Sequence, residues 1–172
     1  IQGGHGGFVS MNSDYTDGGN LLLTNSAKPR DNKGLWAFVS QSTGKYKVYN
    51  YSTGLSKVLG ITGTEANARA TMVKDGADGY STLFSGTFNF NSTPSYVKID
   101  GGNHWWNKRG DFLALWNTGS VTGDTGSKFF FTEVDPADYP DTYYYEVQNI
   151  TGVTEFAPKN PNTLWYKTSA EA

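Results

Sequence analysis

Asn103-His104-Trp105-Trp106-Asn107-Lys108-Arg109-Gly110-Asp111-Phe112-Leu113-Ala114-Leu115-Trp116-Asn117 is the stretch that decides the fold. It carries three of the five tryptophans and one of the two histidines. Apolar residues flank a Lys-Arg-Gly-Asp turn, the pattern of two short strands joined as a hairpin. In the second strand Phe112, Ala114 and Trp116 share one face and Leu113 and Leu115 the other, because successive strand side chains point to opposite sides. The adjacent Trp105 and Trp106 must part in the same way, one to a core and one toward the surface. A tryptophan in such a strand either fills a core or stacks on a flat ligand. Both readings stand for Trp116.

The composition around this hairpin is that of an all-β protein. Aromatic residues make up 15 % of the 172 residues and charged ones 17 %, with 21 glycines. Such a mixture suits many short strands joined by tight turns. The length suits one domain, residues 1–172, with a real core. A net charge of -2 argues against nucleic acid or an anionic membrane surface as partner. The absence of cysteine excludes a disulfide frame, a thiol nucleophile and a thiolate metal site. No apolar run reaches membrane-spanning length, so no membrane insertion is expected. Starting at Ile1 without a leader-like stretch, the sequence reads as a mature form or an excised module. Few charges among many Asn, Thr, Tyr and Trp residues suggest an exported protein, extracellular or at the cell surface.

Taken in order, the chain repeats. Gly3-Gly4-His5-Gly6-Gly7 reads as flexible and outside the core, and Phe8 to Met11 as a first strand. Lys47-Val48-Tyr49-Asn50 is echoed by Lys98-Ile99-Asp100-Gly101 and by Glu146-Val147-Gln148-Asn149. Aromatic strands begin near residues 35, 83 and 129. A period of about 45–50 residues with about four strands per unit is too few blades for a propeller, but suits a pseudo-threefold barrel with a hairpin cap. The expectation is therefore a β-trefoil of about twelve short strands in three pseudo-repeats. In this register the first unit lacks its opening strand. Tyr143 to Asn149 is expected to supply it, pairing in the same barrel as Phe8 to Met11, with residues 143–172 forming that closing strand plus a tail. A fragment whose tail begins another module is the other reading.

Tyr96-Val97-Lys98-Ile99-Asp100-Gly101, then Leu113-Ala114-Leu115-Trp116-Asn117, then Lys128-Phe129-Phe130-Phe131 resembles one repeat of the ricin B-type β-trefoil lectins. The looser pattern of Leu35-Trp36-Ala37-Phe38, Tyr46 to Asn50 and Thr53-Gly54 resembles divergent trefoil modules of secreted bacterial glycan-acting and surface proteins. The likeness covers about residues 8–152, and only the unit 96–131 matches in detail. It implies a non-catalytic sugar-binding site, with Asp100 in the aspartate position and Trp116 in the stacking position. Asn117 and Asp124 would add polar contacts, and Trp105 would extend the platform. Apolar sugar C–H faces suit an aromatic ring, and neighbouring hydroxyls need fixed donors and acceptors. The sequence departs from the family in lacking its Gln-x-Trp signature, and Ser127 stands where a polar Asn or Gln is usual. Leu23 and Met72 fall at the stacking position of the other two units. The partner implied is a glycan or polysaccharide, alongside other domains of a larger exported protein. The competing reading is a structural or protein-interaction trefoil with no sugar site.

Other chemistry is weakly signalled. Two histidines and no cysteine disfavour a catalytic zinc, and Asp75 to Gly79 lacks the spacing of a calcium loop and reads as a turn. No cofactor is expected. Glu133, Glu146 and Glu155 are candidate glycosidase carboxylates by residue type alone, and no Gly-x-Ser-x-Gly elbow is present. The chain reads as a binding or structural module rather than an enzyme.

Overall fold

Short apolar runs, each cut off by a Gly-, Asn- or Asp-rich turn, fold into strands and leave little room for helix. A computed structural model describes residues 1–11, 22–24, 32–116 and 118–134. Within them lie thirteen strands: β1 (Gln2–Gly3), β2 (Phe8–Ser10), β3 (Leu22–Thr24), β4 (Trp36–Ser42), β5 (Lys45–Asn50), β6 (Val58–Thr62), β7 (Ala70–Val73), β8 (Tyr80–Ser81), β9 (Phe84–Thr87), β10 (Tyr96–Ile99), β11 (Trp105–Arg109), β12 (Phe112–Trp116) and β13 (Phe129–Phe130). The only helical pieces among the described residues are three single 3-10 turns. The all-β expectation is borne out. So are the strands expected near 45–50 and 96–100, found as β5 and β10.

Ten strands form one sheet in the order β13-β1-β2-β3-β12-β11-β10-β9-β5-β4, and β7-β6-β8 form a second. All recorded strand pairs are antiparallel, several of them tight hairpins. The β11–β12 hairpin turns at Gly110, whose φ of +61° belongs to the left-handed region that glycine enters without steric cost.

The pairing repeats three times along the chain. Trp36 lies opposite Asn50, Phe84 opposite Ile99, and Phe129 opposite Gly3. Likewise Val9 lies opposite Leu23, Leu59 opposite Met72, and Trp106 opposite Leu115. Val9, Leu59, Phe84, Trp106 and Phe129 are fully buried and Trp36 is nearly so, in one cluster with Val48, Val97, Leu113 and Leu115. Burying a side chain of this kind contributes roughly 1.5–3 kcal/mol, so these registers hold most of the core in place.

Two expectations need correction. The glycine run at 3–7 is tied into the large sheet through Gly3 and Gly4 rather than flexible. Gln2 and Gly3 pair with Phe130 and Phe129 on one side, and Gln2 with Phe8 on the other. Gly4 donates its N–H to the Lys128 carbonyl at 2.7 Å. A Cβ on Gly4 would press on the Lys128 Cβ at 2.9 Å and on the Thr125 carbonyl, so only glycine lets the two segments pass this closely. Consequently both edges of Phe8–Ser10 are already taken, by β1 and by β3. The opening strand that the first unit was expected to lack is thus present as β1, and residues 143–149, expected to supply it, lie outside the described residues.

A second, smaller cluster packs Tyr49 with Ala37, Val39, Val58 and Val73, between β4–β5 and the three-stranded sheet. Burial, assisted by the negative charge of Asp75, pushes the Tyr49 phenol up from 10.0 to about 12. Between these values the unfolded chain ionises at this residue and the native chain does not. The contribution to stability is therefore complete below pH 10 and is lost as pH rises toward 12. We expect a loss of about 2 kcal/mol over that window. Urea unfolding across the window should show the slope, and Tyr49→Phe should flatten it.

Candidate functional site

The sheet register places the sequence-predicted residues unequally. Trp105 and Trp116 lie directly opposite each other across β11 and β12, and Trp105 lies opposite Lys98 of β10. Paired residues of antiparallel strands share a face, so Lys98, Trp105 and Trp116 form a row on the outside of the sheet. Trp106, Leu113 and Leu115 point the other way into the core. Trp105 is half-buried and Trp116 is 36 % exposed, the most exposed large apolar residue described after Phe90. Trp116 is therefore a surface ring, not a core one.

Cations sit over these rings. The Arg109 guanidinium carbon lies 3.7 Å from the Trp116 ring centre, and the Lys98 ammonium 5.3 Å from that of Trp105. Arg69, bridged to Ala114 on the far side of β12, lies 3.8 Å over the Phe112 ring. Asn67 holds the arrangement. Its φ of +71° turns the chain so that its N–H donates to the Leu115 carbonyl at 2.7 Å. Its side-chain oxygen accepts from Arg109 Nε at 3.0 Å. Asn tolerates the left-handed region better than most residues with a Cβ. Each such cation–aromatic contact stabilises by roughly 0.5–1 kcal/mol at an exposed site.

Asp100 is held apart from this row. Its carboxylate accepts from Lys45 Nζ at 2.8 Å, and its N–H donates to the Leu83 carbonyl. The Lys45 hydrogen bond holds the carboxyl below its ordinary range. The Lys45 charge, the Ser85 hydroxyl and the Lys98 charge act in the same direction against partial desolvation. Asp124 is likewise occupied. It caps the 3-10 turn Thr125–Ser127 through Gly126 N–H at 2.9 Å, and it accepts from Asn107 at 2.8 Å and from Ser127 at 2.9 Å. Gly126 is pressed against Asn107, where a Cβ would stand 2.8 Å from Nδ2. Asp124 thus closes a network with Asn107, Gly126 and Ser127, and Asn117 lies outside the described residues. Of the five predicted site residues, the register brings Trp105 and Trp116 together and gives Asp100 and Asp124 to internal partners.

The alignment of units also shifts by one residue. Leu23 and Met72 correspond to Leu115, whereas Trp116 corresponds to Thr24 and Val73. A slip of one residue exchanges the core face for the outer face. Sequence reading missed Asn67, Arg69, Lys98 and Arg109. Arg109 was legible in principle, since it shares the strand parity of Trp105; Asn67 and Arg69 come beside β12 only through the pairing of segments distant in sequence. Among the candidate carboxylates, Glu133 is exposed and Glu146 and Glu155 lie outside the described residues. No helix among the described residues is long and apolar enough to cross a membrane. Comparison with protein families, with curated proteins and with solved structures gives no match for this chain.

Proposed function

We propose that the protein is a non-catalytic carbohydrate-binding module with a β-trefoil architecture, belonging to an exported protein at or beyond the cell surface. The architecture is supported by the threefold recurrence of register. Strands β1-β2-β3-β4, β5-β6-β7-β9 and β10-β11-β12-β13 follow one another as equivalent quartets, with β8 as an extra pair of residues. In this reading the N-terminal unit owns its opening strand and needs none from residues 143–149. The likeness to ricin B-type repeats carries the carbohydrate half of the proposal.

One observation carries the site: two indoles share an outer sheet face, one of them 36 % exposed, with polar groups fixed beside them. An aromatic platform with preset donors matches the alternating apolar and hydroxyl faces of a pyranose. The Arg109 guanidinium covers one face of Trp116, so a sugar meets the remaining exposed surface of the ring and the outward N–H groups of the arginine. Asp100 serves this site from its edge, by fixing Lys45 and biasing Lys98, rather than by accepting from a sugar hydroxyl. A single shallow site of this kind gives weak affinity, on the order of −4 kcal/mol, so retention on a polymer draws on multivalency.

Titration of a glycan panel into wild type and Trp116→Ala, with a melt of each, tests the site. Removing an exposed ring should cost about 1 kcal/mol of stability at most, while binding falls roughly tenfold or more. Binding that survives in folded Trp116→Ala would rule this face out. The alternative, a protein-interaction trefoil, gains from the internal engagement of Asp100 and Asp124, and it prevails if the wild type retains none of the glycans.

A further inference from the structure

The protein handles its cations in two different ways. On β5, Lys45 and Lys47 are neutralised by carboxylates, Asp100 at 2.8 Å and Asp75 at 2.6 Å. On the outer face of β10–β12, Lys98, Arg69 and Arg109 are held by the rings of Trp105, Phe112 and Trp116 and make no ion pair among the described residues. The difference matters electrostatically. A carboxylate cancels a cation, whereas the ring quadrupole fixes its position and leaves the net charge in place. Two positioned and uncancelled positive charges, Arg69 and Arg109, and a third, Lys98, partly offset by Asp100, therefore share one aromatic face of a protein whose net charge is -2. Arg109 is further oriented by Asn67, which uses Nε and leaves both terminal nitrogens without a hydrogen bond among the described residues. A guanidinium held by its Nε and one face presents a planar pair of N–H donors at its outer end, the fork that matches a carboxylate.

We propose that this face recognises an acidic saccharide, with the carboxylate of a uronic acid residue accepting from Arg109 and the apolar face of the ring lying on the exposed part of Trp116 or Trp105. The proposal rests on the carbohydrate reading and narrows it to a class. Charge complementarity selects the class: a neutral sugar would leave the ordered charges of Arg69 and Arg109 unanswered. Charge density selects the carboxylate. A polyuronate carries one negative charge per ring and keeps its C–H faces free for stacking. A heavily sulfated polymer offers denser charge and calls for a basic surface that a chain of net charge -2 does not supply. Arg69 and Lys98 set the local potential rather than the fork, so their loss should matter less than that of Arg109.

Affinity electrophoresis of the full chain in gels containing polygalacturonate, the same polymer fully methyl-esterified, dextran or dextran sulfate tests the inference. The expected result is retardation by polygalacturonate, weakened roughly tenfold by esterification and reduced further as salt rises. Arg109→Gln should lose roughly tenfold and Arg69→Gln about threefold, both still folded, with melting lowered by only a few degrees. Arg109→Lys, which keeps the charge but not the fork, should recover only part of the loss. Lys47→Gln should leave retardation unchanged. Equal retardation by the free and esterified polymers overturns the acidic-saccharide inference and leaves the carbohydrate reading intact. Tighter, Arg109-dependent retention by dextran sulfate overturns the assignment to a carboxylate. Retardation insensitive to Arg109→Gln in a folded variant overturns the site. No retardation in any of the four gels overturns the inference; failure across the glycan panel would overturn the carbohydrate reading itself.

Discussion

Trp106→Ala is expected to destabilise the protein by about 3–5 kcal/mol, most of what a domain of this size has in reserve. Trp106 is fully buried. Its ring meets Phe84 edge-on at 5.0 Å and Phe129 edge-on at 5.7 Å. Those two phenylalanines occupy equivalent positions in two of the three recurring registers, so the indole joins units far apart in sequence. Its removal opens a cavity where β9, β11 and β13 meet, and paired strands have little freedom to collapse into it. Trp106→Phe should behave quite differently. The indole N–H meets no acceptor among the described residues, and a buried unpaired donor costs about 1–3 kcal/mol. Phenylalanine removes that donor while giving up part of the volume, and the two effects nearly cancel. We expect a change below about 1.5 kcal/mol in either direction. Urea unfolding of the three proteins at equal slope gives the comparison directly. An alanine variant within about 1 kcal/mol of wild type would show that this ring does not hold the units together.

The same residue shows why part of this fold is legible in sequence. Period-two alternation separates Trp105 from Trp106 and Leu113 and Leu115 from Trp116, and they do part to opposite faces. Strands β5 and β10 lie where the repeat puts them for the same reason, since alternation and turn residues are local properties. What fails is what depends on a partner far along the chain. Gly3 and Gly4 read as flexible and outside the core because nothing nearby shows that Lys128 and Phe129 will pass within bonding distance. Asp100 reads as a free acceptor because Lys45, 55 residues away, is brought to it only by the pairing of β5 with β9 and β9 with β10. Asp124 is a different kind of miss. Asp followed by Thr-Gly-Ser is a local capping pattern, and it pointed to a satisfied turn rather than to a sugar contact. For Trp116 the sequence left core and surface both open, and it could not show Arg109 over the ring, since that contact needs Asn67 to reach across β12.

Gly86→Ala is expected to cost about 2–4 kcal/mol, combining backbone strain with crowding. It should also disturb the outer face. Gly86 has a φ of +132°, a conformation L side chains rarely adopt, in the middle of β9. A Cβ there would drive into the carbonyl oxygen of Tyr96, on the neighbouring strand β10, and would stand 3.4 Å from Cζ3 of Trp105. The chain has only poor ways to relieve this. Rotating Gly86 out of the positive region moves Ser85 and Thr87, which are paired with Lys98 and Tyr96. Shifting Tyr96 disturbs the pair beside Ser95, whose N–H bonds the Phe129 carbonyl at 2.7 Å. Gly101→Ala separates the two contributions. Its φ of +75° is also positive, but nothing lies within 4 Å of an added Cβ, so it should cost only the strain, about 1 kcal/mol. The excess of Gly86→Ala over Gly101→Ala then measures the close passage of β9 against β10 and Trp105. Because Trp105 supports Lys98 and lies opposite Trp116, the same variant should weaken polygalacturonate retention at temperatures where it remains folded, while Gly101→Ala should not. Equal melting temperatures for the two variants would mean that β9 and β10 are not packed this closely, and the row of aromatic side chains built on that packing would have to be redrawn.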